Sequence, residues 1–118
     1  MELRRYKRLP LRGILKCYTD FTVDDHAYHQ VPVISLSAGG MFIPLDKNIQ
    51  SQMEPGTMVH DIHFGVEAID SIHTQGMVMH RMTTDGIGGC GVQFVKLTEA
   101  GVQCLDDYVT SMLNALGV

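Results

Sequence analysis

Val31-Pro32-Val33-Ile34-Ser35-Leu36-Ser37-Ala38-Gly39-Gly40-Met41-Phe42-Ile43 reads as an extended apolar segment, a small polar turn and a second extended segment. Val31–Ile34 predicts a strand, Ser35–Gly40 a Gly-rich turn, and Met41–Ile43 the strand that resumes after it. Two glycines allow positive φ and close approach of the backbone to a ligand, and two hydroxyls two residues apart can point to the same side of an extended chain. An ordinary hairpin bend would use the same residues.

Outward from this stretch the pattern stays β. Leu11–Thr19 alternates, with Leu11, Leu15 and Cys17 on one face, and predicts a half-buried strand. Asp20–Gln30 is polar and without period, so it predicts a loop or a frayed hairpin end. After Pro55-Gly56, Met58, His60, Ile62 and Phe64 alternate with Val59, Asp61 and His63, which predicts another strand with the first set inward. Ile72–Met82 and Cys90–Phe94, joined through Thr84-Asp85-Gly86, predict a hairpin. From Thr98 the period becomes helical, with Val102, Leu105, Val109, Met112, Leu113 and Leu116 on one stripe and Thr98 as N-cap. Several short strands and one terminal helix argue for an antiparallel β-barrel with a helix against it.

The 118 residues suit one domain, with 45% hydrophobic residues. No apolar run approaches the roughly 18–20 residues of a membrane span, and the basic N-terminal stretch does not lead into a signal-like apolar segment, so a cytoplasmic protein is expected. Cys17, Cys90 and Cys104 are odd in number and widely spaced, which suits reduced, packed thiols rather than a disulfide framework or a zinc site.

Charge is unevenly placed. Residues 1–16 hold six basic residues and one acidic, a balance of +5, whereas residues 17–118 hold three basic and twelve acidic, a balance of −9; together these give the net −4. The local excess is Arg4-Arg5-Tyr6-Lys7-Arg8. Such a run at a terminus is commonly a solvated end, but in an acidic chain it also suits a localised site for a small anion better than a surface for a long polyanion.

Catalytic chemistry finds little support. His60-x-x-His63 places the two rings on opposite faces of a regular strand, which does not chelate a metal without a bulge. His26, His29, His73 and His80 share no spacing with a carboxylate or cysteine that would name a catalytic group, and there is no Walker loop, GxGxxG or GxSxG. A non-enzymatic role is expected, without cofactor or metal.

Taken in order, Arg4-Arg5-x-x-Arg8, Ser35-x-Ser37-x-x-Gly40, Gly76-Met77-Val78-Met79-His80 and Gly91-Val92-Gln93-Phe94 resemble the PilZ domain family across nearly the whole chain. The resemblance implies a mainly β fold, a six-stranded antiparallel β-barrel with a C-terminal α-helix, divided into a basic arm over 1–10, the barrel over 11–96 and the helix over 98–116. It also implies binding of the bacterial second messenger cyclic di-GMP, with Arg4, Arg5 and Arg8 as the arm, Ser35, Ser37 and Gly40 at the turn, and His80 at a strand position near the ligand. Guanidinium groups suit this ligand, because they fork onto phosphates or a guanine Hoogsteen edge and also stack on purines. Ser35 departs from the family pattern, which has Asp or Asn there to hold the guanine Watson–Crick edge; losing one such contact costs on the order of 1.5–3 kcal/mol.

The resemblance therefore predicts a cyclic di-GMP receptor that signals to a downstream protein. Ordering the arm costs roughly 1–2 kcal/mol per residue, a total close to what several charge-assisted bonds return, so the arm is expected to be mobile without ligand and to fold across the barrel mouth on binding, pivoting at Leu9-Pro10 and making a new surface for that partner. The alternative is a PilZ-like adaptor that binds no nucleotide and works through protein contacts. A third reading, a basic-armed barrel on DNA or RNA, is disfavoured by the acidity of residues 17–118. The chain is expected as monomer or homodimer.

Overall fold

The computed structural model describes residues 6–11, 16–46, 49, 52–84 and 86–117. Eight strands form one antiparallel sheet: β1 (Leu9–Pro10), β2 (Tyr18–Val23), β3 (His26–Pro32), β4 (Ser35–Ser37), β5 (Gly40–Pro44), β6 (Met58–Phe64), β7 (Thr74–Thr84) and β8 (Ile87–Phe94). A 3-10 turn spans Glu67–Ile69, and α1 (Glu99–Ala115) closes the described chain. The hydrogen-bonded order is β1-β4-β5-β8-β7-β6-β2-β3. The sheet curls until β3, at one end of that order, packs near β5, giving a half-barrel with a C-terminal helix.

The expected mainly β class with a terminal helix is what forms, with eight strands rather than six. The extra pieces are short: β1 has two residues and β4 three, too few for alternation to register. β1 pairs with β4 through Leu9 with Leu36 and Pro10 with Ser35. Proline is tolerated there because β1 is an edge strand.

Three further expectations are corrected. Leu11–Thr19 is not one strand: β1 ends at Pro10 and β2 begins at Tyr18, while residues 12–15 lie outside the described residues. Asp20–Gln30, expected as a loop or a frayed hairpin end, is a full hairpin in which β2 pairs with β3 around Asp24-Asp25. Asp24 takes a φ of 53°, which a short polar side chain tolerates in a tight turn. In β2, Thr19, Phe21 and Val23 point inward under a polar outer face, and β3 exposes most of its residues, so neither strand looked apolar in sequence. Finally, Ser35-Leu36-Ser37 is a strand and only Ala38-Gly39 turns.

The alternation expected along β6 also breaks. Val59, expected outward, is fully buried together with Ile62, because the register shifts between them and Asp61 adopts a φ of 52°. An extra residue at a bulge turns the strand by one position, which exchanges the faces.

The core runs through the curl: Leu9, Phe21, Leu36, Ile43, Val59, Ile62, Phe64 and Val78 are buried and meet Leu105 and Val109 of α1. Thr98 Oγ1 accepts the Gly101 N–H at 3.0 Å and starts that helix as expected. Val102, Met112 and Leu113 lie partly buried against the core, so the helical stripe covers the barrel, whereas Leu116 is exposed. The polar segment after β5 is more than a linker, since Ile49 and Met53 are buried and Gln52 accepts a hydrogen bond from the Tyr28 hydroxyl. The thiols of Cys17 and Cys90 are buried and free, and burial pushes each up to about 11.

Candidate ligand-binding site

β4, β5, β8 and β7 lie side by side, so their pairing places residues far apart in sequence in rows across one outer face. Ser35 is opposite Phe42, Phe42 opposite Gly91, and Gly91 opposite His80. The next row runs Ser37, Gly40, Gln93 and Met77. At about 4.8 Å per strand, Ser35 and His80 stand roughly 14 Å apart along the backbone rows.

These rows form the wall of a cleft of about 580 Å³, in the range of sites for small molecules. Arg8, Ser35, Ser37, Gly40 and His80 all line it. Arg4 and Arg5 lie outside the described residues. Arg8 is exposed at the rim and Tyr6 is half-buried, while Leu9, one residue on, is fully buried in the core. The basic segment therefore enters the fold from a firmly held point.

The turn glycines act through space rather than through dihedral freedom. Neither Gly39 nor Gly40 has a positive φ; among the described glycines that conformation occurs at Gly56, Gly86 and Gly117. A Cβ on Gly40 would stand 2.4 Å from the Val92 carbonyl oxygen, so β5 and β8 could not keep their pairing around a larger residue. A Cβ on Gly39 would meet the Tyr6 ring at 3.3 Å, so Gly39 is the seat of that ring. Ser37 is committed locally: its Oγ accepts the Gly39 N–H at 3.2 Å and reaches the Gly40 carbonyl oxygen at 3.4 Å. It fixes the turn with its donor turned inward on the loop.

The far wall depends on a bulge. Val78 is opposite Val92, yet His80 rather than Met79 is opposite Gly91, so β7 carries one extra residue there. Without that residue His80 would share the inward parity of buried Val78; with it, Met79, His80 and Met82 all line the cleft. The His80 ring lies across Gly91, where an added Cβ would come within 3.0 Å of Cε1, and its Nε2 stands 3.1 Å from Met82 Sδ. Phe42 covers Gly89 in the same manner, with Cζ 2.7 Å from an added Cβ. Rings resting on glycines leave a low floor, suited to a flat aromatic ligand.

Sequence reasoning did not single out Tyr6, Gln93 or the two half-exposed methionines, Met79 and Met82, which also line the cleft. Gln93 could have been found as the one polar residue of Gly91–Phe94, outward where Cys90, Val92 and Phe94 are inward. The bulge that turns His80 outward has no sequence signal. No carboxylate is present among the described residues lining the cleft. No group of three or more His, Cys, Asp or Glu side chains that could hold a metal occurs among the described residues.

A model of one domain family, the PilZ domain, matches residues 2–111. The chain belongs to the PilZ domain family. Solved structures agree on the fold of this PilZ domain. The PilZ domain with c-di-GMP of YcgR from Escherichia coli superposes with a TM-score of 0.77 at 15% identity, covering 98% of this chain and 95% of that one. The K. pneumonia MrkH-c-di-GMP complex gives a TM-score of 0.81 at 14% identity, covering 99% of this chain and 55% of that one. The Bacillus subtilis inhibitor of motility, MotI/DgrA, gives 0.77 at 13% identity, covering 98% and 53%. The chain thus spans about half the length of MrkH and MotI. No curated protein sequence matches it. No described helix is long and apolar enough to cross a membrane.

Proposed function

We propose that this PilZ domain is a receptor for cyclic di-GMP and acts as a signalling module rather than an enzyme. The observation that carries the reading is the convergence of Arg8, Ser35, Gly40 and His80 on one cleft whose floor is made of rings lying on glycines. YcgR and MrkH, which share the fold, are solved with c-di-GMP.

In this reading Arg8 forks onto a phosphate or a guanine edge, with Arg4 and Arg5 completing the basic segment. His80 offers its ring as a stacking platform, and the glycine at position 40 lets the nucleotide approach the sheet. Ser35 offers a hydroxyl. Ser37 contributes chiefly by holding the turn. Binding closes the basic segment over the cleft from its anchor at Leu9, and the surface so made is read by a protein partner.

Calorimetric titration with cyclic di-GMP tests the reading. Saturable binding that Arg8→Ala weakens by about tenfold or more supports it, since a charge-assisted contact contributes on the order of 1.5–3 kcal/mol. Lower amide exchange of residues 2–9 with ligand supports the closure, and equal exchange in both states removes it. A second reading, an adaptor that binds no nucleotide, is favoured by the absence of a carboxylate among the described lining residues. Silence at millimolar ligand selects it.

A further inference from the structure

A purine must be read on its edge if a cleft is to tell one base from another, and few groups in this wall can do so. Guanine presents N1–H and N2–H donors beside the O6 acceptor, while adenine presents an N1 acceptor beside an N6–H donor. An acceptor-only carboxylate favours the first, but the described residues lining the cleft include none. Arg8 only donates, and the Ser37 hydroxyl is engaged with its own turn.

Gln93 stands apart. It is exposed on β8, lines the cleft, and its side chain makes no hydrogen bond among the described residues. Its cross-strand neighbour on β5 is Gly40, which sets no side chain beside the carboxamide. On the other side stands Met77, an apolar neighbour that offers the amide no strong partner. A carboxamide presents an acceptor and a donor side by side. It pairs with guanine by accepting from N1–H and donating to O6, and with adenine by accepting from N6–H and donating to N1, after a flip of the amide.

We infer that Gln93 reads a purine edge of the bound cyclic dinucleotide, and that the cleft consequently admits adenine as well as guanine at that position. This rests on the receptor reading above and extends it to a ligand class, cyclic purine dinucleotides. The role is one of specificity and leaves the grip on the phosphates to Arg8.

The test is titration of the wild-type chain, Gln93→Ala and Gln93→Glu with cyclic di-GMP and cyclic di-AMP, with melting curves to show that all three are folded. The wild type binds the two ligands within about tenfold of each other, and Gln93→Ala weakens both about fivefold or more. Gln93→Glu moves the ratio toward cyclic di-GMP by about tenfold or more, because a carboxylate accepts both guanine donors and meets the adenine N1 lone pair with a charge. Any smaller change of ratio in Gln93→Glu, or a wild type already selective by about a hundredfold, overturns the inference while leaving cyclic di-GMP binding intact. If neither ligand binds the wild type, the receptor reading itself falls and takes this one with it.

Discussion

Two outer faces of the same sheet carry most of the polar chemistry, and they use it in opposite ways. On the β3-β2-β6 side, Asp20 gathers its neighbours: Oδ1 accepts the Gln30 N–H at 2.7 Å, while Oδ2 lies 3.4 Å from His29 Nδ1 and 3.3 Å from His63 Nε2. His63 also has Nδ1 at 3.2 Å from the Asp61 carbonyl and stacks on His73 with ring centroids 5.1 Å apart. On the β4-β5-β8-β7 side, the floor is made of rings lying on glycines, and the carboxamide of Gln93 has no partner among the described residues. The face richer in titratable groups is the one whose groups are engaged with each other. A candidate site is marked better by missing side chains and uncommitted polar atoms than by the number of histidines.

The sharpest way to break this contrast is at Gly40. Gly40→Val places a side chain against the Val92 carbonyl and is expected to destabilise the fold by about 3 kcal/mol, read by urea denaturation. Gly65→Ala is the control, since its Cβ would meet nothing closer than 3.9 Å; it should change stability by less than about 1 kcal/mol. Similar losses for both would mean that the β5–β8 approach is not the constraint.

Next in size are effects on affinity alone. Gly91→Ala pushes against the His80 ring from below and should weaken cyclic di-GMP about three- to tenfold, with His80→Ala equal or larger, as expected of a lost stacking surface. His63→Ala, on the other face, should leave the titration unchanged and cost less than about 1 kcal/mol in stability, because its contacts with Asp20, the Asp61 carbonyl and the His73 ring all lie at the solvent-accessible surface. An affinity loss from His63→Ala would join the two faces and undo the comparison.

The smallest effect is acidic. The Gln30 N–H holds the Asp20 carboxyl below its ordinary 3.8 against the opposing effect of burial, with hydrogen bonding from His29 and then the charges of His63 and His29 adding to the lowering. A folded-state value below the unfolded one gives stability that is present above pH 3.8 and lost as pH falls through the lower folded value. Stability should therefore decline on acidification below about pH 4, and Asp20→Asn should flatten that slope, measured by denaturation at successive pH values.

Where the sequence spoke through a period, it was legible. The stripe Val102, Leu105, Val109 and Met112 is a helix against the core, and Cys90, Val92 and Phe94 are one inward face. Where faces are half polar the signal was lost, as in β2, whose outward Asp20 and Thr22 made a strand look like a loop. Bulges were invisible: nothing in Val59-His60-Asp61-Ile62 or Val78-Met79-His80 announces that one residue will be passed over. That depends on how far each strand must twist to stay in register with two neighbours at once.

For the candidate site, the residue types at 8, 35, 37, 40 and 80 could be chosen from local motifs, because the order of basic, hydroxyl and glycine positions is written along the chain. Their grouping, and the contrast between committed Ser37 and uncommitted Gln93, were settled by pairing β5 with β8 and β8 with β7. A sequence states which side chains exist and with what local period. Whether a glycine is there for its φ or for a carbonyl 2.4 Å away, and which side His80 faces, follow from long-range register, where one residue of shift exchanges the two faces of a strand.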